Sequence, residues 1–145
     1  MHEYARLDGL FTIQKNGVTI LQKKNLITNA GFGMTLEMLG KATSRPNWIT
    51  HLAVGSDDTD PTVTDTALGT QLARVPATFS HTANAKTASF AGEFGAGVGT
   101  GAIVEAGLFN AATGGTMLNR IIFGAINKGA ADILTITATI NMSQG

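Results

Sequence analysis

The chain has 145 residues, the size of one domain, and its ten Lys and Arg residues balance ten Asp and Glu residues. A net charge of zero argues against a nucleic-acid partner, or an anionic membrane, held by bulk charge. Charged residues make up only 14% of the chain, below the roughly 25% of ordinary soluble domains, and so little surface charge favours association with other chains.

The first predicted element is a β-hairpin over residues 9–25. Two β-rich runs flank Asn16-Gly17, which is the strongest short hairpin signal because both residue types tolerate a positive φ. Both faces of the hairpin are apolar near the turn, so we expect one face to pack against another chain. The residues predicted for this subunit contact are Phe11, Ile13, Val18 and Ile20.

The hydrophobic period then changes and predicts one short helix near residues 28–41. The residues that set the i, i+4, i+7 spacing are Phe32, Leu36 and Leu39. Thr28 or Asn29 can cap the start of the helix. We interpret Met34 and Met38, which flank the apolar stripe, as core filler rather than an adaptable binding surface.

The rest of the chain is predicted to consist of strands and turns. A buried strand covers residues 47–56, and a long loop with a helical turn at 64–72 covers residues 57–74. The further predicted strands cover residues 75–82, 86–94, 102–109, 116–123 and 132–142. Short strands, Gly-rich turns and one helix predict a mainly β fold, an antiparallel β-sandwich or barrel-like domain, with residues 1–145 as a single domain.

Two patterns that could carry chemistry fit no reaction. The segment "GAGVGTG" at residues 95–101 lacks the Lys of a phosphate loop and precedes a β-type run, so it is predicted to connect strands. His2, His51 and His81 are the imidazoles, but the sequence contains neither G-x-S-x-G nor H-E-x-x-H. We therefore expect no catalytic residues, no enzyme activity and no small-molecule substrate.

Four acids crowd one loop, and oxygen-rich loops can hold Ca²⁺. They are Asp57, Asp58, Asp60 and Asp65. Counted from Asp58, the sixth position of a calcium loop is Val63 instead of Gly, and the twelfth is Gly69 instead of Glu. We expect solvent-exposed residues that cap turns with their own side chains, with no metal and no cofactor.

Glu105 and Arg120 are the two charges in an otherwise uncharged stretch, residues 103–123. If residues 110–115 form the loop of a hairpin, Glu105 falls directly opposite Arg120 on one face. A cross-strand ion pair contributes roughly 0.2–1 kcal/mol and fixes the register. This arithmetic predicts a structural ion pair rather than a substrate site.

Three stretches together resemble the small β-rich tail and fibre-associated structural proteins of tailed bacteriophages. They are "KNLITNAGFGMTLEML", "ITHLAVGSDDTDPTVTDTALGTQLARV" and "IVEAGLFNAATGGTMLNRIIFGAINKGAADILTITATI". The shared pattern is an N-L-[IV]-x-[ND]-x-G helix start, an A-[VL]-G-[ST] strand, a D-T-A-L loop and an E-x-G-L-F…G-x-M…R-x-x-F hairpin, in that order. It spans about residues 24–142, and the loop is more acidic here than in the family pattern.

The resemblance implies a virion structural protein of the tail, baseplate, neck or fibre, in which the Glu105–Arg120 hairpin belongs to the scaffold. A capsid decoration (cement) protein is the alternative, and a carbohydrate- or receptor-binding module is the second alternative. The expected partners are further copies of the chain, in a trimer or ring, and other phage virion proteins, with no nucleic acid and no membrane.

The expected location is the virion, after synthesis in the host cytoplasm without secretion. The N-terminal segment has no basic stretch followed by an apolar run, and no apolar stretch approaches the ~20 residues that span a bilayer. The chain has no Cys, which excludes disulfide frameworks and Cys-based metal sites.

Overall fold

The computed structural model describes residues 4–144. Its elements are β1 (Ala5–Lys15), β2 (Val18–Lys24), β3 (Leu26–Ile27), α1 (Asn29–Gly40), β4 (His51–Gly55), β5 (Gln71–Pro76), β6 (Thr78–His81), β7 (Thr87–Phe94), β8 (Gly101–Phe109), β9 (Met117–Lys128) and β10 (Leu134–Gln144). The strands form two five-stranded antiparallel sheets, in the orders β2-β1-β10-β7-β6 and β3-β9-β8-β4-β5. Among the described residues neither sheet closes into a barrel. The mainly β prediction is confirmed, as a β-sandwich with one short helix.

The main apolar core joins the two sheets. Phe11 and Ile136 contribute to it from one sheet, Leu52 and Ile121 from the other, and each is at most 1% exposed. Alternate residues of β1 and of the first half of β10 point into this core, which is the period of two that a half-buried strand requires. Met34 of α1 is 4% exposed and packs in the same cluster, so its interpretation as core filler is confirmed.

The N-terminal hairpin forms as predicted, but half of its predicted subunit contact is wrong. Asn16 and Gly17 have φ values of 51° and 83°, as a type I′ turn requires. Phe11 and Ile13 are fully buried inside this chain, because β1 lies between β2 and β10 and turns these residues toward the core. Val18 and Ile20 lie on the edge strand β2 and stay 64% and 45% exposed.

Helix α1 begins where predicted but faces the other way. Thr28 caps it by accepting a hydrogen bond from Gly31 N at 2.9 Å. A Cβ at Gly31 would collide with the carbonyl oxygen of Leu118, so the helix is seated on β9 by this side of its surface. Gly31 and Met34 are therefore buried, whereas the predicted apolar face is turned outward. That face consists of Phe32, Leu36 and Leu39.

The predicted strand at residues 75–82 is two strands in different sheets. β5 pairs with β4, β6 pairs with β7, and the chain crosses between the sheets at Ala77. The amide of Ala77 donates to the carbonyl of Thr50 at this crossing. Residues 64–72 contain no helical turn, since β5 already begins at Gln71 and the preceding residues are turns and bends.

Candidate functional site

Glu105 and Arg120 lie on the same face of the β8–β9 hairpin, but they are not directly opposite. Glu105 pairs with Ile122 and Arg120 pairs with Gly107, so the two charged residues are diagonal neighbours. The predicted direct pairing was wrong by two residues. Their side chains still meet, with Arg120 Nε 3.0 Å from Glu105 Oε1.

The register differs from the predicted one by two shifts of one residue each. For this reason Glu105 and Arg120 still lie on the same face of the hairpin, as predicted. Phe109 pairs with Met117, one residue later than predicted. Leu108 then pairs with Asn119, which leaves Leu118 as an extra residue on β9. One shift alone would have turned the charged side chains to opposite faces, whereas two restore the alternation. The amide side chain of Asn119 helps to hold the second shift by accepting a hydrogen bond from Leu108 N at 3.0 Å.

The carboxylate of Glu105 is fully buried, and both oxygens have two donors. Oε1 accepts from Arg120 Nε at 3.0 Å and from Gly69 N at 2.9 Å. Oε2 accepts from Asp57 N and from Thr70 N, each at 2.9 Å. Three backbone amides and a guanidinium thus compensate the desolvation of this charge.

Arg120 is 3% exposed and uses its other nitrogens on the loop between β4 and β5. Nη1 donates to the carbonyl of Thr59 at 2.8 Å and to Asp65 Oδ2 at 3.2 Å. Nη2 donates to the carbonyl of Asp57 at 3.2 Å. Glu105 and Arg120 therefore act together as a latch that fastens residues 57–70 to the hairpin.

The acidic loop differs in part from its prediction. Asp58 and Asp60 are exposed, as expected, but Asp57 and Asp65 are only partly exposed. The prediction for Asp65 was wrong because its carboxylate joins the latch through Arg120. Within residues 4–144, no group of three His, Asp or Glu side chains comes close enough to hold a metal ion.

Two of these acids have perturbed ionisation. Burial by itself raises the pKa of Asp65, but hydrogen bonds from Thr62 and the nearby Arg120 outweigh it and hold the pKa below its ordinary value. Hydrogen bonds from Thr59, its backbone amide among them, lower the pKa of Asp57. Both carboxylates are therefore set to stay ionised while they hold the loop.

Three of the four sequence motifs quoted above meet at this latch. The hairpin supplies Glu105 and Arg120, and the D-T-A-L segment supplies Asp65. The glycine of A-V-G-S, Gly55, lies so close that a Cβ there would come within 2.5 Å of Glu105 Oε2. The helix-start motif contacts the same hairpin outside the latch, where the Thr28 hydroxyl donates to Met117 O at 2.8 Å on β9. Segments far apart in sequence thus form one structural unit.

A second clamp, which the sequence analysis missed, is made by Arg74. Its Nη1 donates to the carbonyls of Ala111 and Gly114 at 3.0 and 2.9 Å, and its guanidinium lies 3.7 Å from the ring centre of Phe109. Burial lowers the pKa of Arg74. The side-chain oxygen of Gln71, three residues earlier on β5, accepts hydrogen bonds from Nε and Nη2 of the same guanidinium. No local sequence pattern predicts this role for Arg74.

An apolar depression of about 440 Å³ opens between α1 and the sheet that contains β7 and β10. Met34, Met38 and Phe90 form part of its floor. Its lining includes His81 and Lys86 and, among the described residues, no carboxylate.

The histidines and the exposed hairpin residues stay apart from the latch. His51 Nδ1 lies 2.8 Å from Thr50 Oγ1, and His81 Nε2 lies 2.9 Å from the carbonyl oxygen of Ala85. In the part of the chain that the structure describes, neither imidazole forms an ion pair with a carboxylate. His2 lies outside the described residues.

No family model, no curated protein and no solved structure matches this chain. Among residues 4–144, no helix has the length and apolar character needed to cross a lipid bilayer. What this chain does must therefore be inferred from its own residues.

Proposed function

We propose that the chain is a structural subunit of a tailed-bacteriophage virion, in the tail, baseplate, neck or fibre, where it acts through protein–protein contacts in an oligomeric assembly. The observation that carries the proposal is the latch. Three of the four ordered motifs that resemble phage tail proteins contribute its central residues, Glu105, Arg120 and Asp65, together with the close-packed Gly55. The resemblance therefore falls on residues that shape one scaffold.

The chemistry of the latch also favours a scaffold over an enzyme. Every oxygen of Glu105 and every guanidinium nitrogen of Arg120 has a partner within the chain. A catalytic acid or base needs a reacting atom within hydrogen-bond reach. Here those positions are filled by the backbone of residues 57–70, and a substrate would have to displace a folded loop.

The surface is suited to contacts with other proteins. Leu39, Trp48 and Leu36 are 78%, 75% and 67% exposed, although the chain has a full apolar core. Large exposed apolar groups rimmed by few charges mark interaction sites on soluble proteins. A subunit of a particle would bury such groups upon assembly.

The test is quantitative mass spectrometry of virus particles purified from the host in which this gene is expressed. We expect the chain in intact particles at a low, fixed copy number that follows the tail proteins and is lost with tailless heads. Absence from purified particles, despite expression during infection, would contradict the proposal.

The same measurement separates the alternatives. A decoration protein would be present in a copy number that scales with the major capsid protein and would remain on tailless heads. A carbohydrate-binding module would retain isolated chain on immobilised host glycans. Either result replaces the tail assignment.

A further inference from the structure

Helix α1 exposes its more apolar side. Leu36 points directly away from the sandwich and is 67% exposed, and its neighbours Phe32 and Leu39 are 43% and 78% exposed. Its only charged side chains, Glu37 and Lys41, the latter at the C-cap, pair with each other at 3.6 Å. The outward face of a helix in a monomer is normally polar. We therefore expect another protein surface to cover this apolar face.

Two glycines on the same outward surface have no atom of the described residues packed against them. Gly33 and Gly40 are exposed, and a Cβ at either would meet nothing within 4 Å. Neither has a positive φ. Glycine is among the least favourable residues inside a helix. The close approach of the Leu118 backbone explains Gly31, whereas no contact within the described residues explains Gly33, inside the helix, or Gly40, its last residue.

The bulky residues and the glycines lie on opposite flanks of Leu36. At about 100° per residue, Phe32 and Leu39 lie about 40° and 60° to one side of Leu36. Gly33 and Gly40 lie about 60° and 40° to the other side. The outward face thus has one protruding edge and one edge of open slots, at matching heights along the helix axis.

This asymmetry decides how two copies fit. When two such helices run parallel about a common axis, each protruding edge faces the slotted edge of its partner, so that Phe32 meets Gly33 and Leu39 meets Gly40. When they run antiparallel about a two-fold axis, Phe32 meets Leu39 and the glycines face each other. Only the parallel arrangement fills slots with side chains, as knobs-into-holes packing requires.

We propose that α1 of one copy packs in parallel against α1 of a second copy, with Phe32 and Leu39 of each chain seated on Gly33 and Gly40 of the next. This inference rests on the proposed function, since it names the contact through which the subunit assembles. The same contact can form around a two-fold or a three-fold axis parallel to the helices, because in both cases the protruding edge of each helix faces the slotted edge of the next.

The area of the face agrees with a self-contact. Trp48 shares a depression with Met38 at the C-terminal end of the helix, and Val63 accepts the hydrogen bond of Asn29 N at its start. With about 150–250 Å² for a whole aromatic side chain and less for Leu and Val, the exposed parts of these apolar side chains come to roughly 600 Å². A standard interface buries about 800 Å² per partner, so these apolar side chains alone supply most of that area.

The first experiment measures the mass of the whole chain in solution by sedimentation velocity across a range of concentrations. We expect a concentration-dependent oligomer, and we expect Leu36→Glu to weaken self-association at least about 10-fold. Leu72→Glu is the matched control, because it is the same substitution at a leucine that is 41% exposed on the edge strand β5, and it should leave the oligomer unchanged. A monomeric native chain, or an oligomer that survives Leu36→Glu, would overturn the inference.

The second experiment determines the relative orientation of the two helices by cysteine cross-linking. The native chain has no Cys, so only the introduced cysteines can react. Asn29→Cys, exposed at the start of α1, is mixed with a tagged Asn29→Cys chain or with a tagged Lys41→Cys chain, exposed at its end, and a short bismaleimide is added. The parallel arrangement predicts cross-links between positions 29 and 29 and few between 29 and 41. The reverse pattern, or equal yields in both mixtures, contradicts it.

Both results are independent of where the chain resides. A chain present in virions that is monomeric in solution would refute the helix contact and leave the virion assignment standing. A chain that forms the parallel contact but is absent from particles would refute the virion assignment alone.

Discussion

Arg120 reaches Glu105 along the diagonal of the β8–β9 hairpin, two residues away from direct opposition, and closes the distance to 3.0 Å. The diagonal suits a long guanidinium, because it leaves Nη1 and Nη2 free to extend past the hairpin edge to Thr59 and Asp57. A directly opposed pair would have used the same charges only to join two strands. Here they join two strands and a loop.

Removing one partner of this pair should cost more than removing both. Glu105→Ala leaves Arg120 as a buried charge without its main partner, and breaking a buried pair in this way destabilises by roughly 3–5 kcal/mol. Glu105→Ala combined with Arg120→Met removes the orphan charge and should be less destabilising. Urea unfolding followed by circular dichroism would measure both. A double variant at least as unstable as Glu105→Ala alone would contradict this prediction.

The Asp65 contact predicts an acid-sensitive contribution to stability. The pKa of Asp65 in the folded chain lies below its ordinary value of 3.8, so the stabilisation is fully present above that value. It is lost as the pH falls through the folded pKa. The difference in unfolding free energy between the native chain and Asp65→Asn should therefore be largest near neutral pH and shrink below the ordinary value.

Asp58 supplies the control for this pH dependence. It is exposed in the same loop, so Asp58→Asn should differ from the native chain by a small amount that does not follow the Asp65 profile. A pH-independent difference for Asp65→Asn would mean that the carboxylate contributes nothing through its charge.

The Arg74 clamp predicts a local effect on the β8–β9 loop. Arg74→Met removes two hydrogen bonds to the loop carbonyls and the cation–π contact with Phe109, together about 1–3 kcal/mol. Hydrogen exchange of residues 110–116 should accelerate more than exchange in β4 or β8. Arg74→Lys keeps the charge but lacks the planar fork, so it should restore little of the protection. Full protection in the Lys variant would attribute the effect to charge alone.

Local chemistry predicted the turns and caps of this fold well. Asn16-Gly17 specified its own turn, and Thr28 specified the helix start, because both act through neighbours in sequence. The sequence predicted the Glu105–Arg120 ion pair, but not the hydrogen bonds that join this pair to the loop between β4 and β5. The sequence does not say which loop lies over Glu105, so the role of Asp65 could not be derived from the spacing of the hairpin.

The orientation of α1 shows a different kind of limit. Phe32, Leu36 and Leu39 have the spacing of a core face, and periodicity alone cannot distinguish burial within a chain from burial between chains. The deciding residue was Gly31, since only a side without a Cβ can approach the backbone of Leu118 so closely. A glycine in a helix weakens a sequence-based helix prediction, and here it also marked the side that packs.

The two glycines that flank Phe32 provide the last prediction, because the same substitution should act in opposite directions. Gly31→Ala forces a methyl group against the carbonyl of Leu118 and should destabilise the fold by more than about 1 kcal/mol. Gly33→Ala meets no atom within 4 Å and gains helix propensity, so it should stabilise the monomer by up to about 1 kcal/mol.

Gly33→Ala is also the variant in which stability and assembly separate. If Gly33 exists to admit a side chain of a second copy, its methyl group should raise the unfolding midpoint measured in dilute solution while it weakens self-association in sedimentation. A surface glycine without a partner would give the first effect and not the second. Thermal unfolding at low concentration, with sedimentation of the same sample at high concentration, distinguishes the two, and a stabilised variant that assembles as tightly as the native chain would remove the reason proposed for this glycine.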